Sequence, residues 1–130
     1  MLRDASLIAV VDDEESVRRA LGRLIRSAGF DVETFSSGTD FLVSLQRRRP
    51  HCVVLDMRMP HVSGFDVQEE MNGTAAGIPV VVITGDYSVE GRARALNLGA
   101  VAYLRKPVDD AMLLSAIRAA LRGNALRPSV

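Results

Sequence analysis

Apolar and polar positions along this chain follow one rhythm, repeated five times: a short run, mostly apolar, then a longer stretch with apolar residues three or four apart. Residues 7–11 form an unbroken apolar run, as expected of a strand buried on both faces. After it Val17, Leu21, Leu24, Ile25 and Ala28 recur at helical spacing, with Asp13 as a candidate cap and Gly29 as a stop. Residues 31–35 alternate in character and predict a strand nearer the sheet edge. A second helix carries Phe41, Leu42 and Leu45 and ends before Pro50. Residues 52–55 predict a third strand that runs into Asp56, and a polar loop with Pro60 and Gly64 leads to a short helix over 65–71. Residues 72–77 read as loop. The fourth strand covers 79–83 and ends at Thr84, and a fourth helix lies within 88–98, closed by Gly99. Residues 101–104 predict the fifth strand, broken by Pro107. Asp109 or Asp110 opens a last helix with Leu113, Leu114, Ile117, Ala120 and Leu121 on one face.

Five strand-then-helix units predict an α/β fold: a doubly wound parallel sheet covered by helices on both faces. The expected division is one domain over residues 1–122 and a short tail, or the start of a linker, over 123–130. A chain of 130 residues, about half of them apolar, suits a single core.

Composition removes several function classes. Sixteen acidic residues balance sixteen basic ones, so the basic field of a nucleic-acid-binding domain is missing. The one basic cluster, Arg47-Arg48-Arg49, falls where a helix should end and suits that end of the dipole. Tryptophan is absent and aromatics are few, which leaves no stacking platform for single strands. No stretch approaches the ~18 apolar residues of a membrane span, and the first residues lack the apolar core of a signal peptide. The lone Cys52, inside an apolar run, cannot form an internal disulfide, so the cytoplasm is the expected compartment.

Ligands of open parallel sheets bind beyond the carboxyl ends of the strands, at the switch point of the strand order. Asp12 and Asp13 follow the first strand, Asp56 the third, Thr84 the fourth, and Arg105, Lys106 and Pro107 the fifth. Singly, each has an ordinary explanation: the two acids could cap a helix, Asp56 and Thr84 could be turn residues, and Lys106 could be a solvated charge. Lys106, however, is the only lysine beside fifteen arginines, and a compact ammonium is not interchangeable with a planar fork at a small oxygen cluster. Crowded carboxylates repel and call for a hard cation, and Mg²⁺, held by a few carboxylates, waters and a phosphate, fits this set. The sequence offers no His or Cys cluster for zinc or iron.

Four segments carry a resemblance. Val10-Val11-Asp12-Asp13-Glu14-Glu15, Leu55-Asp56-Met57-Arg58-Met59-Pro60 with Gly64, Val82-Ile83-Thr84-Gly85 and Tyr103-Leu104-Arg105-Lys106-Pro107 resemble, in order and spacing, the signature segments of response-regulator receiver domains. The details are most similar to the FixJ-type nitrogen-fixation branch. The resemblance implies a flavodoxin-like sheet of order 2-1-3-4-5 and a two-component switch. In it Asp56 accepts phosphate from a sensor histidine kinase. Asp13, Asp56 and the backbone carbonyl of Arg58 ligate Mg²⁺, with Asp12 reaching it through water. Thr84 and Lys106 bind the phosphoryl group. Thr84 and Tyr103 relay the change, Tyr103 turning inward on activation. Lys106-Pro107 falls where family members use a cis peptide, and Gly85 keeps the approach to the phosphate open. It also implies a partner or homodimer face on the fourth helix, fifth strand and fifth helix, near Arg92, Arg94, Arg105 and Arg118, and transcriptional control through an output domain outside this chain.

Arg58 and Asp86, two residues after Asp56 and Thr84, carry opposite charges and are expected to pair across the phosphate. Two other functions compete. A phosphatase of the haloacid-dehalogenase type also uses Asp, Thr, Lys and Mg²⁺, but it places Asp-x-Asp on its first strand and its acidic pair late, whereas the acidic pair here comes first. A stand-alone receiver acting by protein contact, with or without phosphorylation, is the other.

Overall fold

The computed structural model describes residues 6–126. Ten elements alternate: β1 (Leu7–Val11), α1 (Glu15–Ser27), β2 (Asp31–Phe35), α2 (Gly38–Ser44), β3 (Cys52–Asp56), α3 (Gly64–Thr74), β4 (Val80–Thr84), α4 (Val89–Asn97), β5 (Ala100–Arg105) and α5 (Asp110–Leu126). The five strands are parallel, in the order β2-β1-β3-β4-β5. From β1 the chain steps outward to β2, then returns past β1 to β3, so the direction of winding reverses between β1 and β3.

Side chains alternate between the faces of each strand, and the core divides accordingly. Ala9, Val11, Val53, Leu55 and Val82 join Phe41, Val67, Met71 and Ala95 from α2, α3 and α4. Ile8, Val10, Val54, Val81 and Ile83 join Leu21, Ile25, Leu113 and Ile117 from α1 and α5. β1, β3 and β4 are buried throughout, while β2 is only partly covered, which accounts for the difference between continuous and alternating runs in the sequence.

β4 and β5 slip against each other by one residue: Val80 faces Ala100, but Val81 faces Ala102. Val101 is the extra residue and is half exposed. Side-chain period along a strand is two, so this bulge reverses which face each later residue meets. It places Tyr103 beside Val82 on the α4 side, instead of opposite Ile83 on the α5 side.

Several boundaries differ from the sequence reading. Asp13 does not cap α1. The cap position is Glu14, whose N–H is held by Asp12 Oδ1 at 2.9 Å. α3 continues past Met71 to Thr74, because the capping box of Ser63 and Asp66 fixes its start and Ala75 still closes onto Met71. α5 opens on Asp109, which accepts from the Met112 N–H, and runs to Leu126. The expected tail from residue 123 is thus helical over its first part, and 127–130 lie outside the described residues. α2 ends at Ser44, ahead of the arginine run; Arg47 instead pairs with Glu33 at 3.0 Å. Among the described residues, no helix is long and apolar enough to cross a membrane.

Candidate functional site

The winding reversal brings the ends of β1 and β3 side by side, with β4 and β5 following on one side. Asp12, Asp56 and Thr84 sit there almost without solvent exposure, at 0%, 2% and 1%. Burying two carboxylates in this way is costly unless both are paired. Lys106, from the end of β5, pairs with both: its Nζ lies 2.7 Å from Asp12 Oδ2 and 3.3 Å from Asp56 Oδ1, with Glu14 Oε1 at 3.9 Å. The Asp12 contact is an ion pair off the hydrogen-bond direction, which leaves Oδ2 without a well-directed donor. Asp56 Oδ1 also accepts from the Arg58 N–H at 3.3 Å. Asp13, not needed as a cap, is exposed, and one oxygen each of Asp12, Asp13 and Asp56 can lie within 4.8 Å of one another. Three carboxylates against one ammonium leave the cluster with an excess of two negative charges. Such a set of hard oxygens suits a divalent cation of the Mg²⁺ type.

Burial, and then repulsion from Asp12, push the Asp56 carboxyl up from 3.8 to about 6, against the pull of Lys106 and the Arg58 N–H. For Lys106 burial works against the charge, but the close carboxylates of Asp12 and Asp56 outweigh it and raise its pKa.

Thr84 closes β4. Its Oγ1 accepts from the Asp86 N–H at 3.1 Å, and its carbonyl accepts from the Lys106 N–H at 2.8 Å, which fixes Lys106 relative to the site. The Lys106-Pro107 peptide is cis. Arg58 and Asp86 pair at 3.3 Å, both largely exposed. A Cβ at Gly85 would meet no atom within 4 Å. A Cβ at Gly64, in contrast, would stand 2.7 Å from the Asp56 carbonyl oxygen and 2.8 Å from Met57 Cα; only glycine lets α3 start this close to the strand end. An open groove of about 620 Å³ runs from Arg58, Thr84 and Asp86 to Ser88, Gly91 and Tyr103.

Tyr103 lies inward, 8% exposed, against Tyr87. Of the arginines expected on the α4–β5–α5 face, Arg92 and Arg118 are exposed. Arg94 turns instead to α3, stacking 4.1 Å over Phe65 and pairing with Glu69, and Arg105 stacks over Tyr87. Sequence reasoning missed Glu14 beside Lys106, and Arg18, whose Nη1 donates to the Asp12 carbonyl at 2.8 Å. Their positions in the segment after β1 were the available signal.

The chain is similar to several known proteins. Response regulator protein TodT of Pseudomonas putida is 42% identical over 118 residues, covering 91% of this chain and 52% of that protein. Transcriptional regulatory protein FixJ of Azorhizobium caulinodans is 39% identical over 121 residues, covering 91% and 56%. The chain thus spans about half the length of the curated relatives it matches. The likeness is to the family as a whole and not to the FixJ branch alone. Among solved structures, response regulator StyR superposes with a TM-score of 0.81 at 44% identity, over 93% of this chain and 62% of that one. A CheY-like receiver domain protein from Methanospirillum hungatei shares the fold, with a TM-score of 0.89 at 24% identity over 94% and 98%. The family model for the response regulator receiver domain matches residues 8–118, almost the whole described structure, and the chain belongs to that family of two-component signalling switches.

Proposed function

We propose that Asp56 is the phosphoacceptor of this receiver, taking a phosphoryl group from a phosphohistidine of a sensor histidine kinase. The observation that carries the reading is the pairing of buried Asp56 with the chain's only lysine, beside an acidic cluster of excess negative charge. An Asp56 oxygen bonds to phosphorus as the phosphorus–nitrogen bond breaks, and the departing imidazole keeps the electron pair. Water later cleaves the aspartyl phosphate, releasing phosphate and restoring the carboxylate.

Asp13, Asp56 and the backbone carbonyl of Arg58 would hold Mg²⁺, with Asp12 behind a water, and the ion would neutralise charge on the phosphoryl oxygens. Lys106 supplies the second positive charge. Thr84 Oγ1 already accepts from Asp86, so its own hydrogen is free to donate to a phosphoryl oxygen. The Arg58–Asp86 pair stands at the open side and shields the phosphoryl group from water; loss of either side chain by Arg58→Ala or Asp86→Ala is expected to speed autodephosphorylation.

The finer reading places the receiver within residues 1–122, with 123–130 leading to an output domain, in a cytoplasmic regulator of the FixJ kind. FixJ of Azorhizobium caulinodans is a transcriptional regulatory protein, which supports control of transcription. A homodimer through α4, β5 and α5 would transmit the switch, and the exposed Val89, Val101 and Met112 offer apolar contacts there. The coding frame downstream decides between this and a receiver acting alone by protein contact. The core reading is tested with acetyl phosphate and Mg²⁺: label on the wild type and none on Asp56→Ala is expected, and equal labelling of the two sinks it.

A further inference from the structure

Where the chain leaves β1, Asp12 is tied through every polar group it has. Its N–H donates to the Phe35 carbonyl at the end of β2, at 3.1 Å. Its Oδ1 accepts from the Glu14 N–H at 2.9 Å, and its Oδ2 pairs with Lys106. The remaining tie is the carbonyl, which accepts from Arg18 Nη1 at 2.8 Å. That tie alone comes from α1, and its charge has the wrong sign for the place. One oxygen each of Asp12, Asp13 and Asp56 can gather within 4.8 Å of one another, and a guanidinium nearby repels any cation they hold. Arg19, next on the helix, pairs with the Glu15 carboxylate at 4.0 Å. Arg18 is partly buried and directs its donor to an uncharged backbone oxygen instead.

That bond bears on the residue that follows. A peptide unit is planar, so the Asp12 Cα, carbonyl carbon and oxygen define a plane that also contains the Asp13 Cα. The bond to β2 holds Asp12 itself, and Arg18 holds its carbonyl oxygen. Together they set where Asp13 stands. Asp13 has little else to fix it: it is exposed, and no hydrogen bond or ion pair among the described residues holds its side chain. We propose that Arg18 is a positioning residue for the divalent-cation site: it orients the Asp12–Asp13 peptide so that the Asp13 carboxylate meets those of Asp12 and Asp56. The order it imposes outweighs the repulsion of its charge. The inference rests on the reading of these three carboxylates as a Mg²⁺ site.

The sign of the effect separates positioning from charge. On charge alone, removing either Arg18 or Arg19 tightens Mg²⁺ binding. Arg18→Met keeps an unbranched stem and a good helix former but loses the donor and the charge. Arg18→Ala, made alongside, is read in the same way, and Arg19→Met removes a charge without touching Asp12. MgCl₂ is titrated into each isotope-labelled protein, and Kd is read from the amide shifts of Asp13 and Met57. Such shifts report folded molecules only, so a loss of stability by itself does not move Kd. In the Arg18 variants Kd is expected to rise about tenfold, the low end of the loss when a group supporting a metal ligand is removed. In Arg19→Met it stays the same or falls. The rise should persist at about 1 M NaCl, where charges are screened beyond about 3 Å. Arg18 variants that bind Mg²⁺ as tightly as the wild type, or more tightly, overturn the proposal, and so does an equal weakening in Arg19→Met. Wild-type amides that do not respond to Mg²⁺ overturn the metal reading and this role with it. Failure of Asp56 to take label from acetyl phosphate counts against the phosphoacceptor alone, because the titration needs no phosphodonor.

Discussion

Asp56 and Lys106 show how far single residues depend on their surroundings. The folded chain holds a proton on Asp56 more tightly than the unfolded chain, its pKa being raised from 3.8 to about 6. The stability this contributes is present below the unfolded value and is lost as pH rises through about 6. Asp56→Asn carries no charge to lose. Without metal it should be more stable than the wild type at pH 7, by up to ~3 kcal/mol at 1.36 kcal/mol per unit, and nearly equal at pH 4. Urea denaturation in EDTA at the two pH values measures this, and an Asp56→Asn variant less stable at pH 7 contradicts it. Lys106→Arg keeps the charge but not the compact head that reaches Asp12 at 2.7 Å and Asp56 at 3.3 Å. Labelling of Asp56 should fall by about tenfold or more, the ~1.4 kcal/mol scale of one charge-assisted bond. The importance of this lysine was legible because the chain otherwise uses arginine. The placement of Tyr103 beside Val82 was not, since it follows from a bulge between β4 and β5 that no local pattern announces.

Helix α3 contains two glycines with opposite roles. Gly64 lies against the Asp56 carbonyl and Met57, so Gly64→Ala forces the helix start away from the strand end and should cost about 1–3 kcal/mol, as overpacking does. Gly73 has no atom within 4 Å of its Cβ direction and a helical backbone, so Gly73→Ala should add a few tenths to ~1 kcal/mol. Thermal melts of the two variants should shift in opposite directions, and a shared sign would mean that contact at position 64 does not govern. The same helix explains why elements were easier to read than their ends. Continuous apolar runs in β1, β3 and β4 and helical spacing in α1 and α5 follow from burial on both sheet faces, which is a property of whole segments. The last turn of α3 and the start of α1 depend on single contacts, such as Ala75 closing onto Met71 and Asp12 holding the Glu14 N–H, that sequence spacing does not encode.

At the scale of the whole molecule, β3 is the central strand and, like β1 and β4 beside it, sends side chains to both core layers, and Cys52 at its start reports on it. The thiol is fully buried, and burial pushes its pKa up to about 12, against the Val53 N–H, so it is neither accessible nor ionised in the folded chain. Reaching it means parting β3 from β1 or β4, and that exposes apolar residues of both layers at once. Modification of Cys52 should therefore follow opening of the entire sheet and not a local fluctuation. Where closing outpaces labelling, the rate tracks the population of the open form. Asp56 lies on the same strand, so at pH 7 in EDTA the Asp56→Asn variant should slow thiol labelling by the factor by which it raises the equilibrium constant for folding. About 1.4 kcal/mol of added stability corresponds to tenfold slower labelling. A thiol-reactive chromophore followed over hours under native conditions gives the rate directly. If Cys52 reacts at the same speed in both proteins while their urea midpoints differ, the β3 end of the sheet opens on its own, and the strand does not join the two layers into one cooperative unit.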